Sequence, residues 1–405
     1  MNETMKLFLA ILKAALSKTA FQGDIPEARW PALSSMADIH KVLPLFYEAV
    51  YHSSAPAALK PSVRQQVIAQ TMRTADFLQL NDHLQAAGLR PVVVKGIVCR
   101  SLYPQPDHRP SADEDLWVTQ AQFDRWHQLL TEFGMNTAVS PEVLSTSYEV
   151  PYRKEGSLLY IELHKHLFPP ESLAYGDLNR FFDQAYDRAV AVQIQGHTIY
   201  TLNPTDHLFY LICHAFKHFL HSGFGIRQVC DIILYANEHG KSVNWEQILQ
   251  YCTSIRAEKF AAALFRIGSE YLVFDPQKAC YPEAWQEISV DAQPMLEDLL
   301  CAGVYGGASM SRQHSSTITL DAVAAQKQGR KAKSSVIASV FPSAAKLESR
   351  YPYLKKHPYL LPMAWCSRLW SYRSERRHSV DNSAADALKI GKERLELMKL
   401  YGILE

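Results

Sequence analysis

Apolar residues recur at helical spacing from the start of the chain. Phe8, Leu9, Ile11, Leu12 and Leu16 fall on one side of a helix, which predicts an amphipathic N-terminal helix docked on the protein's own core. Breaks at Pro26, Pro31, Pro44, Pro56 and Pro61 divide the segment that follows, and Val63 to Gly88 carries a long helical pattern that stops on its glycine. At Arg90 the texture changes. Pro91-Val92-Val93-Val94 predicts a short strand, Lys95-Gly96 a turn, and the stretch to Tyr103-Pro104 a helix. After a loop containing Pro106 and Pro110, Glu114 to Val118 predicts a second strand and Gln120 to Gly134 a helix. Two further strand-like runs lie near Ser147 to Arg153 and Leu158 to Leu163.

From Asn203-Pro204, a helix start signal, the pattern turns helical again with Leu208, Leu211, Ile212, Ala215 and Phe219 as its apolar stripe. Asn244-Trp245-Glu246-Gln247 resembles a capping box, and helices are expected through Ala302. The stretch from Gly303 to Pro362 reads as irregular. Gly306-Gly307-Ala308-Ser309 and the basic run Lys327, Arg330, Lys331 and Lys333 predict an exposed, solvated crossing, whereas Asn382 to Tyr401 predicts a terminal helix. The expected organisation is therefore a helical segment over 1–88, a mixed core over 89–200, a helical domain over 201–302, and a crossing with C-terminal helices over 303–405.

Composition narrows the class. With 42 basic and 41 acidic side chains the net charge is +1, which excludes binding a polyanion through a bulk field. The longest apolar run near the N-terminus, Leu7 to Leu12, ends at Lys13, so no membrane span or secretory signal is expected and a cytoplasmic setting is the simplest. Cysteines 99, 213, 230, 252, 280, 301 and 366 are dispersed and odd in number, without a CxxC pair, and are expected to be buried free thiols.

The chemistry concentrates in Arg109-Pro110-Ser111-Ala112-Asp113-Glu114-Asp115. On a strand, residues two apart share a face, so Asp113 and Asp115 would present paired carboxylates able to hold a divalent cation, with Glu114 on the other face as a solvated or capping acid. Chance alone would give about four acid-x-acid pairs in this composition, so the context has to carry the signal. Three features supply it. The strand, Gly96 and helix unit upstream would offer free backbone N–H groups to a phosphate. Glu162, between Ile161 and Leu163, is costly to bury without a metal or cation. Arg109 could hold phosphate oxygens bidentately. Together these are the parts for metal-assisted phosphoryl or nucleotidyl transfer.

The histidines at 207, 214, 218 and 221 share a helical face, yet no HExxH accompanies them and a dedicated zinc site is not expected. Lys217 or His218 instead could neutralise a leaving pyrophosphate. Arg227 and Asp231, four apart, read as a helical ion pair.

The ordered set Lys95-Gly96, Tyr103-Pro104, Arg109-Pro110, Asp113-x-Asp115 and Ile161-Glu162-Leu163-His164, with His214-x-x-Lys217-His218, Arg227-x-x-x-Asp231 and Asn244-Trp245, resembles an uncharacterised bacterial nucleotidyltransferase family of the polymerase-β-like superfamily. The resemblance implies an α+β fold in which a small mixed β-sheet core is flanked by N-terminal helices and a C-terminal helical domain. It further implies two Mg²⁺ ions, with Mn²⁺ as an alternative, held by Asp113, Asp115 and Glu162. An NTP would lie with its tail near Gly96, bound by Lys95, Gly96, Arg109, Lys217 and His218. One departure stands out. The superfamily has Gly-Ser or Gly-Gly where this chain has Gly96-Ile97, so Lys95 would replace the missing hydroxyl contact, or the chain would be a non-catalytic nucleotide-binding scaffold.

Overall fold

The β-branched run at Val92–Val93 forms a two-residue strand, β1, whose burial on both faces explains its uninterrupted valines. It is the hub of a seven-stranded mixed sheet made with β2 (Glu114–Trp117), β3 (Met135–Asn136), β4 (Glu149–Lys154), β5 (Tyr160–His164), β6 (Val190–Ile194) and β7 (His197–Thr201). The strand order is β3-β4-β5-β2-β1-β7-β6. Two pairings are parallel, β1 with β7 and β2 with β5, and the others are antiparallel. The computed structural model describes residues 1–52, 57–303, 309–330, 344–347, 351–355, 357–375 and 384–405.

The fold is α+β, with this sheet flanked by helices at both ends of the chain. At the N-terminus, the helix Glu3–Leu16 starts on Asn2, whose side chain accepts the Met5 N–H, and it buries the expected Phe8, Leu9, Ile11, Leu12 and Leu16. The long helix Leu59–Ala86 ends as its sequence predicts: Gly88 adopts φ +81°, the Gly88 N–H meets the Gln85 carbonyl, and the Leu89 N–H meets the Leu84 carbonyl. On the C-terminal side, Asn203 caps the helix Pro204–His221 by accepting the Thr205 and Asp206 N–H groups, and Asn244 caps Trp245–Ser254. Helices Ile226–His239 and Glu258–Tyr271 extend this layer. One continuous hydrophobic core runs through all of it, from Phe8 to Leu404. Among the described residues no helix is long and apolar enough to cross a membrane.

Several expectations are corrected. The strands β6 and β7, absent from the expected elements, form a hairpin across Gln195-Gly196, both at positive φ. The region read as irregular contains an 18-residue helix, Met310–Lys327, whose last residue, Lys327, pairs with Asp177 at 2.6 Å rather than sitting in a solvated loop. Its buried residues are Ser311, Arg312, Ser315, Ser316, Thr319, Ala322 and Val323, polar over the first three turns, so no long apolar stripe announces it. Gly306, Gly307, Ala308, Lys331 and Lys333 lie outside the described residues. The terminal helix spans Ala384–Leu400, as expected. Of the seven free cysteines, Cys280, Cys301 and Cys366 are exposed and only the other four are buried.

Candidate active site

β2 begins where a clamped loop ends. The Ser111 N–H donates to Gln70 Oε1 at 2.8 Å, its hydroxyl accepts from Arg100 at 2.6 Å, and its carbonyl accepts from Arg73 at 3.0 Å. Arg227 adds a hydrogen bond to the Pro110 carbonyl. Gln70 and Arg73 belong to the helix Leu59–Ala86 and Arg227 to Ile226–His239, so helices that precede and follow the sheet in the chain fix the start of the acidic strand.

Along β2 the carboxylates alternate as predicted. Glu114 points away from the cleft and is buried, not solvated: it pairs with buried Arg100 and accepts the Ile97 N–H at 2.9 Å. That contact caps the short helix Gly96–Arg100 internally, so the Ile97 amide expected to meet a phosphate is already taken. Gly96 is required for it. At φ +40°, a Cβ there would sit 1.7 Å from Glu114 Oε2.

Asp115 faces the other side. The β2–β5 register sets it directly beside Glu162, and strand alternation brings His164 onto the same face. His164 Nε2 lies 3.1 Å from Asp115 Oδ1 and 3.7 Å from Glu162 Oε2, while Nδ1 lies 3.7 Å from Glu149. One ligand atom from each of Asp115, Glu162 and His164 falls within 4.8 Å of the others. His164 is a donor beyond the three acids expected from the sequence. Its position two residues after Glu162 on a strand was the available signal.

A cleft opens beside this group, lined by Lys95, Gly96, Arg109, Asp113, Asp115 and Arg227 among others. Lys95 Nζ is 2.9 Å from Asp115 Oδ2 and 3.0 Å from His214 Nε2. Burial opposes ionisation of Asp115, but Lys95 and His164 outweigh it and hold its carboxyl well below the usual range. Burial likewise disfavours the imidazolium of His164, yet its bonds to Asp115 and Glu162 push its pKa up to about 9. Asp113, half-buried at the cleft wall, is raised by burial and by the charge of Asp115. The two aspartates thus differ in environment.

Arg109 is buried and holds Asp231 through two hydrogen bonds of 2.6 Å, from Nε and Nη2. Its Nη1 has no hydrogen-bond partner among the described residues. Tyr103 donates to the same Asp231 at 2.7 Å. Asp231, expected from helical spacing to pair with Arg227, is held by this long-range fork from Arg109. Lys217 and His218 are half-buried and lie outside the cleft lining; His218 Nε2 lies 3.3 Å from His214 Nε2, which does line it. His207 turns instead to Thr201 and His221 to Ser222.

The donor set fits a divalent cation. Asp115 Oδ2 meets the Lys95 ammonium on a side chain long enough to swing away, and the neighbouring carboxylates supply the hard oxygens such an ion prefers. A family model described as "Uncharacterised nucleotidyltransferase" matches residues 26–272. No curated protein and no solved structure matches the chain significantly.

Proposed function

The chain belongs to that nucleotidyltransferase family, and from this premise we propose that it moves a nucleoside monophosphate from an NTP to an acceptor hydroxyl or phosphate, by the chemistry of the polymerase-β-like superfamily. The observation that carries the reading is the in-register pairing of Asp115 with Glu162, with His164 beside them, at the edge of a cleft that also holds Lys95 and Arg109.

An acceptor oxygen attacks the α-phosphorus, the bond from that phosphorus to the α–β bridging oxygen breaks, and pyrophosphate leaves. Glu162, a quarter exposed, receives the acceptor's proton. Arg109, through its unpartnered Nη1, and Lys95 hold phosphate oxygens along the wall containing Gly96. Lys217 adds positive potential behind His214 as the pyrophosphate departs, and His218, which burial and the Lys217 charge hold well below the usual imidazole range, takes part as a neutral ring. Mg²⁺ or Mn²⁺, one ion or two, held by Asp113, Asp115 and Glu162, would supply charge stabilisation at the attacking and leaving oxygens, with His164 a further donor only on giving up its proton. The carboxylates lie in the 89–200 core, with Leu211, His214, Arg227 and Asp231 of the 201–302 segment forming the other wall of the cleft and the 1–88 segment supporting the acidic loop through Gln70 and Arg73. A cytoplasmic NTP pool is the natural donor supply.

Titration calorimetry with ATP, GTP, CTP and UTP, with and without Mg²⁺, tests this without an acceptor. Metal-dependent binding of nucleotide that is lost in Asp113→Asn/Asp115→Asn is the expected result. Binding that persists unchanged in the double variant would remove the carboxylates from the donor site. A second reading, a nucleotide-binding scaffold without turnover, draws on Ile97, whose side chain has no hydroxyl and whose amide serves Glu114. Nucleotide binding without pyrophosphate release across a broad acceptor panel favours it.

A further inference from the structure

Lys95 stands between two partners of unlike charge. Its ammonium contacts the carboxylate of Asp115 on one side and the imidazole of His214 on the other, at 2.9 and 3.0 Å. The Asp115 side chain is only 3% exposed, so its charge requires a cation within the fold. Lys95 provides it, and His164 engages the other carboxylate oxygen. His214 is held in place by His218, and burial and the nearby Lys95 charge push it well below the usual imidazole range, so it offers Lys95 a neutral acceptor. The Lys95 side chain is 14% exposed and lines the cleft, within reach of an incoming anion. A divalent ion beside Asp115 would therefore meet an ammonium already in contact with its principal ligand, and like charges a few ångströms apart repel strongly at low dielectric.

We propose that Lys95 is a built-in counter-ion that keeps divalent cations off Asp115 until an anionic polyphosphate draws the ammonium into the cleft. The inference rests on the metal-dependent reading above. Metal and nucleotide then bind with positive coupling, and the coupling is reciprocal. Lys95 acts on the metal through Asp115, as a positioning residue, and its stem needs only to pivot between carboxylate and phosphate.

The test uses Mn²⁺ alone, titrated into the full-length protein without nucleotide and followed by electron paramagnetic resonance. Lys95→Met should bind Mn²⁺ at least about tenfold more tightly than wild type, because the ammonium on Asp115 Oδ2 is gone while His164 stays on Oδ1 in both proteins. Lys95→Arg, which keeps the charge, should stay near wild type, and Lys95→Met/Asp115→Asn should lose the gain. Lys95→Gln provides a polar alternative if the methionine variant fails to fold by circular dichroism. Equal Mn²⁺ affinity in wild type and Lys95→Met, abolished by Asp115→Asn, would overturn the counter-ion role while leaving the metal site standing. If no variant binds Mn²⁺ up to millimolar concentration, the metal-dependent reading falls and the inference with it.

Discussion

Glu114 and Asp115 are consecutive in β2 and serve opposite faces of the sheet. The first takes the Ile97 N–H and buried Arg100 as partners, and the second takes Lys95 and His164. A single strand thus carries a structural carboxylate on one side and a candidate chemical one on the other, and a substitution at one leaves the partners of its neighbour in place.

Gly96→Ala tests the structural face. The new Cβ would collide with the Glu114 carboxylate in a backbone conformation that already disfavours side chains. A loss of about 1–3 kcal/mol in urea unfolding is expected, and an unchanged midpoint would contradict the tight approach.

Asp298 is the shared partner of Arg312 and Arg394, at 2.6 Å from each. Those two guanidiniums also donate to the Ser222 and Phe219 carbonyls at the end of the helix Pro204–His221. Asp298→Ala would leave two buried cations without their counter-charge, a loss of about 3–5 kcal/mol. Equilibrium unfolding measures it. A change under about 1 kcal/mol would mean that water reaches the pair.

His40 predicts a pH dependence. It is buried, Nε2 meets the Leu300 carbonyl at 3.2 Å, and Nδ1 accepts the Ile226 N–H at 3.4 Å, an arrangement that requires the neutral ring. Burial lowers its pKa to about 4. Above pH 6.5 both folded and unfolded states hold it neutral. As pH falls toward 4 only the unfolded state takes the proton, so stability drops, by about 2 kcal/mol at pH 5 from this residue. His40→Gln keeps a donor and an acceptor without titrating, and its stability should fall less steeply between pH 7 and 5. Parallel slopes in the two proteins would refute the assignment.

What the sequence made legible was local. Asn203 and Asn244 announce helix starts by cap chemistry, Gly88 announces a stop, and the alternation around Asp113 and Asp115 orients the acids. Contacts between distant segments left no such trace. Asp231 has Arg227 four residues away on its own helix, yet its carboxylate is held by Arg109, 122 positions distant, because a buried guanidinium fork outcompetes a single local contact. The helix Met310–Lys327 escaped for another reason: its inward face is mostly serines, a threonine and an arginine, joined by Ala322 and Val323 near its end, and hydrophobic periodicity is weak at such an interface. At the site, Glu162 was legible as an acid among apolar neighbours, whereas its alignment with Asp115 depends on a parallel register between β2 and β5 that no residue in either strand encodes by itself.

The clamp on the loop before β2 has a consequence for how this unit could be moved or cut. Gln70 and Arg73 reach the Ser111 backbone from one flank, and Arg227 reaches the Pro110 carbonyl from the other. A fragment spanning 89–200 would retain Asp113, Asp115 and Glu162 and still lose the three side chains that aim the acidic strand. The carboxylates are not a portable cassette; the helices on either side are the jig that sets them.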